Sequence, residues 1–173
     1  MPLAIIANWM YHSRLRKLIS DWYRRSQGEN IREFDIFDKF ASLWISFNAW
    51  ETYESQEESD RDKIEWAKEN PALKQKYSEL IANNNTFKEK VLALQSLCPI
   101  YRNKPYNGSR EVRIANLVNF GEVLEAIYVI RCNFFHGEKS PDEPRDIKLT
   151  ELAFSILSEV FSVKIAEISS SDW

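Results

Sequence analysis

The chain has 173 residues, enough for one domain with a sizeable core and cramped for two. With 44% hydrophobic and 28% charged residues it is too apolar for wholesale disorder. At a net charge of -3 and a pI of about 5.6 it does not attract polyanions as a whole, so any nucleic-acid site must be local.

The N-terminal stretch "MPLAIIANWMYHSRLRK" has no basic region before its apolar part, and Asn8 interrupts it early, so it does not read as a signal peptide. No uninterrupted apolar run approaches the roughly 20 residues that span a bilayer, and no membrane association is expected. Cys98 and Cys132 give neither a disulfide framework nor a zinc spacing, so a reducing cytoplasm is the expected location. No metal and no cofactor are expected.

The chain holds only four glycines and nowhere sustains polar/apolar alternation, so the period to follow is 3.6. A first helix is predicted over about residues 3 to 25, with Leu3, Ala7, Tyr11, Leu15, Leu18 and Trp22 on its apolar stripe and Gly28 as its stop. A second should fill about 32 to 56. Its aromatics, Phe37, Phe40, Trp44, Phe47, Trp50 and Tyr53, are dense enough to require cover on two faces, which makes it the expected central helix. Asn48 sits among them, either as a hydrogen-bonded core residue or as a polar group lining a cleft.

From about 57 to 108 the character changes, and this region reads as an insertion between core helices. The charged "EESDRDKIEWAKEN" ends at Pro71, which can open a helix in its first turn. "PALKQKYSELIA" and "TFKEKVLALQSL" then form two short amphipathic helices, with Asn85 placed to cap the second. "CPIYRNKPYNGSR" is expected to be a loop, because Pro99, Pro105 and Asn107-Gly108 all resist helix. Its basic residues Arg102 and Lys104, with Arg110 and Arg113 just beyond, interleave with Tyr101 and Tyr106. That set is either a single-strand RNA-binding surface, offering charge for phosphates and rings for bases, or a solvated loop.

A further helix is predicted over about 110 to 136, with Leu117, Phe120, Leu124 and Ile127 on its stripe. "SPDE", residues 140 to 143, has the form of a capping box, and Asp146 precedes a final helix over about 147 to 168 that buries Leu149, Leu152, Ile156, Val160 and Val163.

The chemistry concentrates at "IRCNFFHG", residues 130 to 137. At 100° per residue Arg131 projects within about 40° of Leu117, Leu124 and Ile127, so a guanidinium stands on the apolar stripe. A buried charge there needs a partner; Asp146 is one candidate and a phosphate ligand is another. On a continuous helix His136 would lie about 140° from Arg131. A left-handed cap at Gly137, or a two-fold dimer joining two helix ends, would bring the groups together. Such a pair suits phosphodiester cleavage in RNA: histidine moves protons near neutral pH, arginine holds phosphate oxygens, and Asn133 can fix a phosphate or orient the imidazole.

"IRCNFFHG" resembles the Arg-x4-His motif of the HEPN superfamily, whose local form is an arginine, polar residues that commonly include Asn, two apolar residues, His and Gly. The turn "KSPDEPRD", the long final helix and "FASLWISFNAWE" continue the likeness, which covers roughly residues 34 to 54 and 112 to 165. Length and periodicity predict a single all-α domain over residues 1 to 173; the resemblance adds an antiparallel HEPN-like helical bundle carrying the inserted segment and a homodimer that joins the motifs of both chains in one cleft. It further implies a metal-independent endoribonuclease acting on single-stranded RNA in a toxin-antitoxin or phage-defence setting, where a cognate antitoxin would be a partner. Arg131 and His136 match the catalytic pair and Asn133 an auxiliary position, with Asp146, Gly137 and Asn48 as structural support. The alternative is a non-catalytic HEPN module binding a nucleotide, RNA or a protein. Cys132, where the family often has a polar residue, and the acidic net charge point that way.

Overall fold

The computed structural model describes residues 16–24, 26–28, 36–135 and 143–170. Residues 16–24 are helical (α1) and stop at Gly28, whose φ of +85° is the left-handed turn the sequence predicts there. Of the predicted stripe, Leu3, Ala7, Tyr11 and Leu15 lie outside the described residues and Trp22 is half-buried, but Leu18 is exposed and Ile19 is buried in its stead. Its core side is held polar as well as apolar, since the buried Ser46 hydroxyl donates to the Ile19 carbonyl at 2.7 Å.

The second helix, α2 (Ile36–Ser55), buries Phe37, Phe40, Leu43, Trp44, Phe47 and Trp50, and so is covered on two faces as its aromatic density requires. After it, α3 (Asp60–Glu69) opens on Ser59, whose hydroxyl accepts from the Asp62 amide and donates to its carboxylate. Asn70 then ends α3 and caps α4 (Pro71–Asn83), its side-chain oxygen accepting from the amides of Ala72 and Leu73 behind the N1 proline. The cap of α5 (Asn85–Ser96) is Asn84, one residue before the predicted Asn85, because its side chain is the one that reaches the Phe87 amide at 3.0 Å. Leu73, Tyr77, Phe87, Val91 and Leu94 from α4 and α5 are fully buried and belong to the same core as α2.

The predicted loop is a β-hairpin. Strand β1 (Ile100–Tyr106) pairs antiparallel with β2 (Ser109–Val112), Ile100 facing Val112 and Tyr101 facing Glu111. Asn107 and Gly108 both take positive φ, 49° and 77°, the combination a two-residue hairpin turn needs. The register shifts between Tyr101 and Tyr106, where Pro105, lacking an N–H, interrupts regular pairing. Expected to be wholly α, the chain is largely helical with one hairpin among the described residues, and α6 (Phe120–Phe135) starts about ten residues later than predicted because β2 and the turn-containing segment over 113–119 take up the preceding stretch.

The last helix, α7 (Pro144–Ser170), runs 27 residues, from earlier than the predicted start to just beyond the predicted end, with Asp146 inside its first turn. It touches α2, α4, α5 and α6 and so takes the central position expected of α2. Leu149, Leu152, Ile156 and Val160 are buried as predicted, and Val163 is partly so. The Phe161 ring lies 5.2 Å edge-on from Phe47 and 5.5 Å from Trp50, joining α7 to the aromatic face of α2. Among the described residues, no helix is long and apolar enough to cross a membrane.

Phe161→Ala should cost about 3 to 5 kcal/mol, since truncation removes a fully buried ring and leaves a cavity shared by two helices. Urea unfolding followed by circular dichroism measures this; a loss under about 1 kcal/mol would mean the α2–α7 seam is not central to the core.

Candidate functional site

Arg131 lies in the last turn of α6, one residue beyond the fully buried Ile130 and so about 100° round from it, at the margin of the buried face. Leu117 precedes the helix and does not share its stripe; Leu124 and Ile127 do, and both are buried. The guanidinium keeps 21% exposure, with Nη1 3.3 Å from Asp60 Oδ2. Its carbon sits 5.3 Å from the Trp44 ring centroid and 4.9 Å from that of Phe135. A cation between two aromatic faces and one carboxylate is compensated electrostatically but incompletely hydrogen-bonded, and Arg131 Nε is buried without a partner. The carboxylate that meets Arg131 is thus Asp60 of α3, where Asp146 was the protein candidate. Asp146 is buried in the first turn of α7.

Around this pair other polar groups gather. Lys63 Nζ is 3.9 Å from the second oxygen of Asp60. Glu51, seven residues after Trp44 and so on the same face of α2, is 1% exposed, and its Oε1 has no hydrogen-bond partner. Burial, and next the negative charge of Asp60, push its carboxyl well above the usual range, outweighing the cations of Lys63 and Arg131. The phenol of Tyr128 is raised as well, by burial first and then by Cys132.

A second assembly adjoins the first through Arg61. Glu125, buried on α6, accepts from both terminal nitrogens of Arg61 at 2.8 Å and also from Lys68 and Arg102. Burial opposes its ionisation, but these three donors prevail and hold the carboxyl at about 2. The Arg61 guanidinium lies 3.8 Å over the Tyr106 ring. An open cleft of about 470 Å³ runs here, with Arg61, Lys68, Arg102 and Arg113 facing Glu65, Glu111, Glu122 and Glu125 in its lining.

The proposed RNA-binding residues accordingly divide. Arg102 and Tyr106 turn inward to this network, while Tyr101 and Arg110 are exposed and Arg113 pairs with Glu111 at 3.0 Å. The side chain of Lys104 lies outside the described residues, as do His136 and Gly137. Asn133 is buried and donates to the Tyr101 carbonyl at 2.8 Å, which fastens β1 to α6. Asn48 is half-buried on α2. The sequence did not single out Asp60, Lys63, Arg61 or Lys68, which look like members of a solvated charge run. Glu51 and Glu125 carried a usable signal: each is an acid placed at core spacing within an apolar stretch.

Comparisons of the chain with protein-family models, with curated proteins and with solved structures find no match.

The Glu51 environment sets a pH dependence. Unfolded, a glutamate ionises near pH 4.3, whereas folded Glu51 keeps its proton to higher pH; between the two, the folded state binds more protons and loses stability as pH rises. Glu51→Gln should therefore match wild type at low pH and become increasingly the more stable above about pH 4.3. Urea unfolding at a series of pH values reads the difference, and a gap that does not change with pH would show that Glu51 is ionised in the fold.

Proposed function

We propose that the chain is a HEPN-like endoribonuclease that cuts single-stranded RNA without a metal, using Arg131 and His136. The observation that carries this reading is the setting of Arg131: a guanidinium with part of its surface open, lodged against Trp44 and Phe135 at the end of a helix whose next residue is His136. In the reaction His136 takes the 2′-hydroxyl proton, the 2′-oxygen attacks phosphorus, and the P–O5′ bond breaks. The leaving oxygen is then protonated, yielding a 2′,3′-cyclic phosphate and a 5′-hydroxyl. Arg131 holds the non-bridging oxygens as their charge grows. A toxin or phage-defence role with a protein antitoxin, in the cytoplasm, accompanies this reading.

One observation favours the rival, a HEPN module that binds without cutting. The Asn133 amide is committed to the Tyr101 carbonyl, so it serves the hairpin and is not free to orient an imidazole or a phosphate.

Purified protein should cut single-stranded RNA in excess EDTA, leave DNA intact and produce cyclic phosphate ends. His136→Ala and Arg131→Ala should each abolish cutting, and Arg131→Lys should not restore the full rate because an ammonium lacks the bidentate fork. A His136→Ala protein as active as wild type on several RNAs would assign the activity elsewhere.

A two-fold dimer along the motif helix belongs to the same proposal, because Phe135, 49% exposed within the motif, is apolar surface that such an interface would cover. Light scattering at micromolar concentration should give about twice the 20.4 kDa chain mass. A strict monomer that still cuts RNA would rule out the composite site.

A further inference from the structure

We propose that Arg131 and Lys63 form a two-cation site for a phosphodiester of the RNA strand, and that Asp60 occupies this site as an internal stand-in which the substrate displaces. This rests on the reading of Arg131 as the motif arginine. Asp60 presents one oxygen to each cation, Oδ2 to Arg131 at 3.3 Å and Oδ1 to Lys63 at 3.9 Å. A phosphodiester offers the same arrangement, two charged acceptor oxygens on one central atom, with the negative charge spread over both. The carboxylate is held loosely, since both separations exceed the roughly 2.7 to 2.9 Å of a charge-assisted hydrogen bond.

The exposures fit a removable cover. Asp60 is 47% exposed, whereas the side chains of Lys63 and Arg131 behind it are 9% and 21% exposed. As the first residue of α3, Asp60 can swing aside without unwinding the helix, because capping belongs to Ser59. Glu51, near the pair, is a poor substitute once Asp60 moves, because it is buried, and burial followed by the negative charge of Asp60 pushes its carboxyl well above the usual range. Arg131, over the Trp44 face, and the neighbouring Lys63 would then have lost their shared counter-charge, and an incoming phosphate restores the balance. Asp60 is thus a negative charge that any ligand anion must outcompete, and Lys63 becomes a ligand to the substrate phosphate.

The test is equilibrium binding of a fluorescent 2′-O-methyl oligoribonucleotide, which cannot be cut, with inorganic phosphate as competitor. Asp60→Asn preserves shape and removes the competing charge, so it should tighten oligonucleotide binding about fivefold, the fraction tied up by a partly exposed ion pair. Lys63→Met, which keeps the apolar stem, should weaken binding and cancel the gain in the double variant. Urea unfolding confirms that each variant folds. Unchanged or weaker binding by Asp60→Asn would overturn the proposal and make Asp60 a mere orienter of Arg131. A gain for inorganic phosphate with none for the oligonucleotide would overturn the assignment to an RNA strand. The assay needs no turnover, so it separates the two readings. A wild-type protein that never cuts RNA, with the Asp60→Asn gain intact, refutes the nuclease and upholds the site; a cutting wild type with no gain does the reverse.

Discussion

The Glu125 carboxylate is the interaction on which the site's geometry depends. It is a buried acid that accepts from Arg61 and Lys68 of α3 and from Arg102 of β1, so two separate elements converge on one residue of α6. The bidentate grip on Arg61 fixes the start of α3, and the residue before Arg61 is Asp60, which reaches Arg131 one helical turn and a half further along α6. The motif arginine is therefore set by a network that never touches it. A buried carboxylate of this kind stays ionised because its donors together outweigh the cost of its desolvation. That makes the hairpin part of the site's scaffold, and Asn133, further along α6, serves the same end by holding β1 through the Tyr101 carbonyl.

Where α2 meets α3 and α6, the aromatic core and the polar site share residues. Trp44 packs 5.5 Å from Phe47 on its inner side and lies 5.3 Å from the Arg131 guanidinium on its outer side. Its indole nitrogen, the Arg131 Nε and the Glu51 Oε1 are all buried without hydrogen-bond partners. Unsatisfied groups are ordinarily avoided in an interior, each costing about 1 to 3 kcal/mol. Two of them, the Trp44 nitrogen and Arg131 Nε, belong to side chains in contact, and that is the pattern expected where stability has been conceded to an arrangement of charge.

Much of the fold was legible because periodicity and caps are local. The stripes of α2 and α7, the proline opening α4 and the Gly28 stop follow from spacing and backbone preference. The hairpin was not read, although Asn107-Gly108 is a hairpin turn signal, because Pro99 and Pro105 break the alternation that would have marked the strands. The motif arginine was legible as a charge in an apolar stripe. Its partner was not: Asp60 lies about 70 residues away in a charged run, and only tertiary packing decides which acid of such a run turns inward.

An acidic chain proposed to bind an anion poses an electrostatic question on which the ion pairs bear. Arg61, Lys68, Arg102, Arg113 and Arg131 each face a carboxylate, so the positive charge of the candidate surfaces is largely spoken for before any ligand arrives. Such a surface exerts little long-range pull on a polyanion, which fits a net charge of -3. Binding an anion there is an exchange of one negative partner for another, and its free energy is the difference between two paired states, not the full attraction of a bare cation. Where the protein carboxylate is buried, as at Glu125, exchange would strand it and is disfavoured. Where it is half in water, as at Asp60, the released acid is simply rehydrated. The same chemistry of pairing thus occurs with a buried acid at Glu125 and with a half-exposed one at Asp60, and burial of the acid is what would separate a fixed hub from an exchangeable pair.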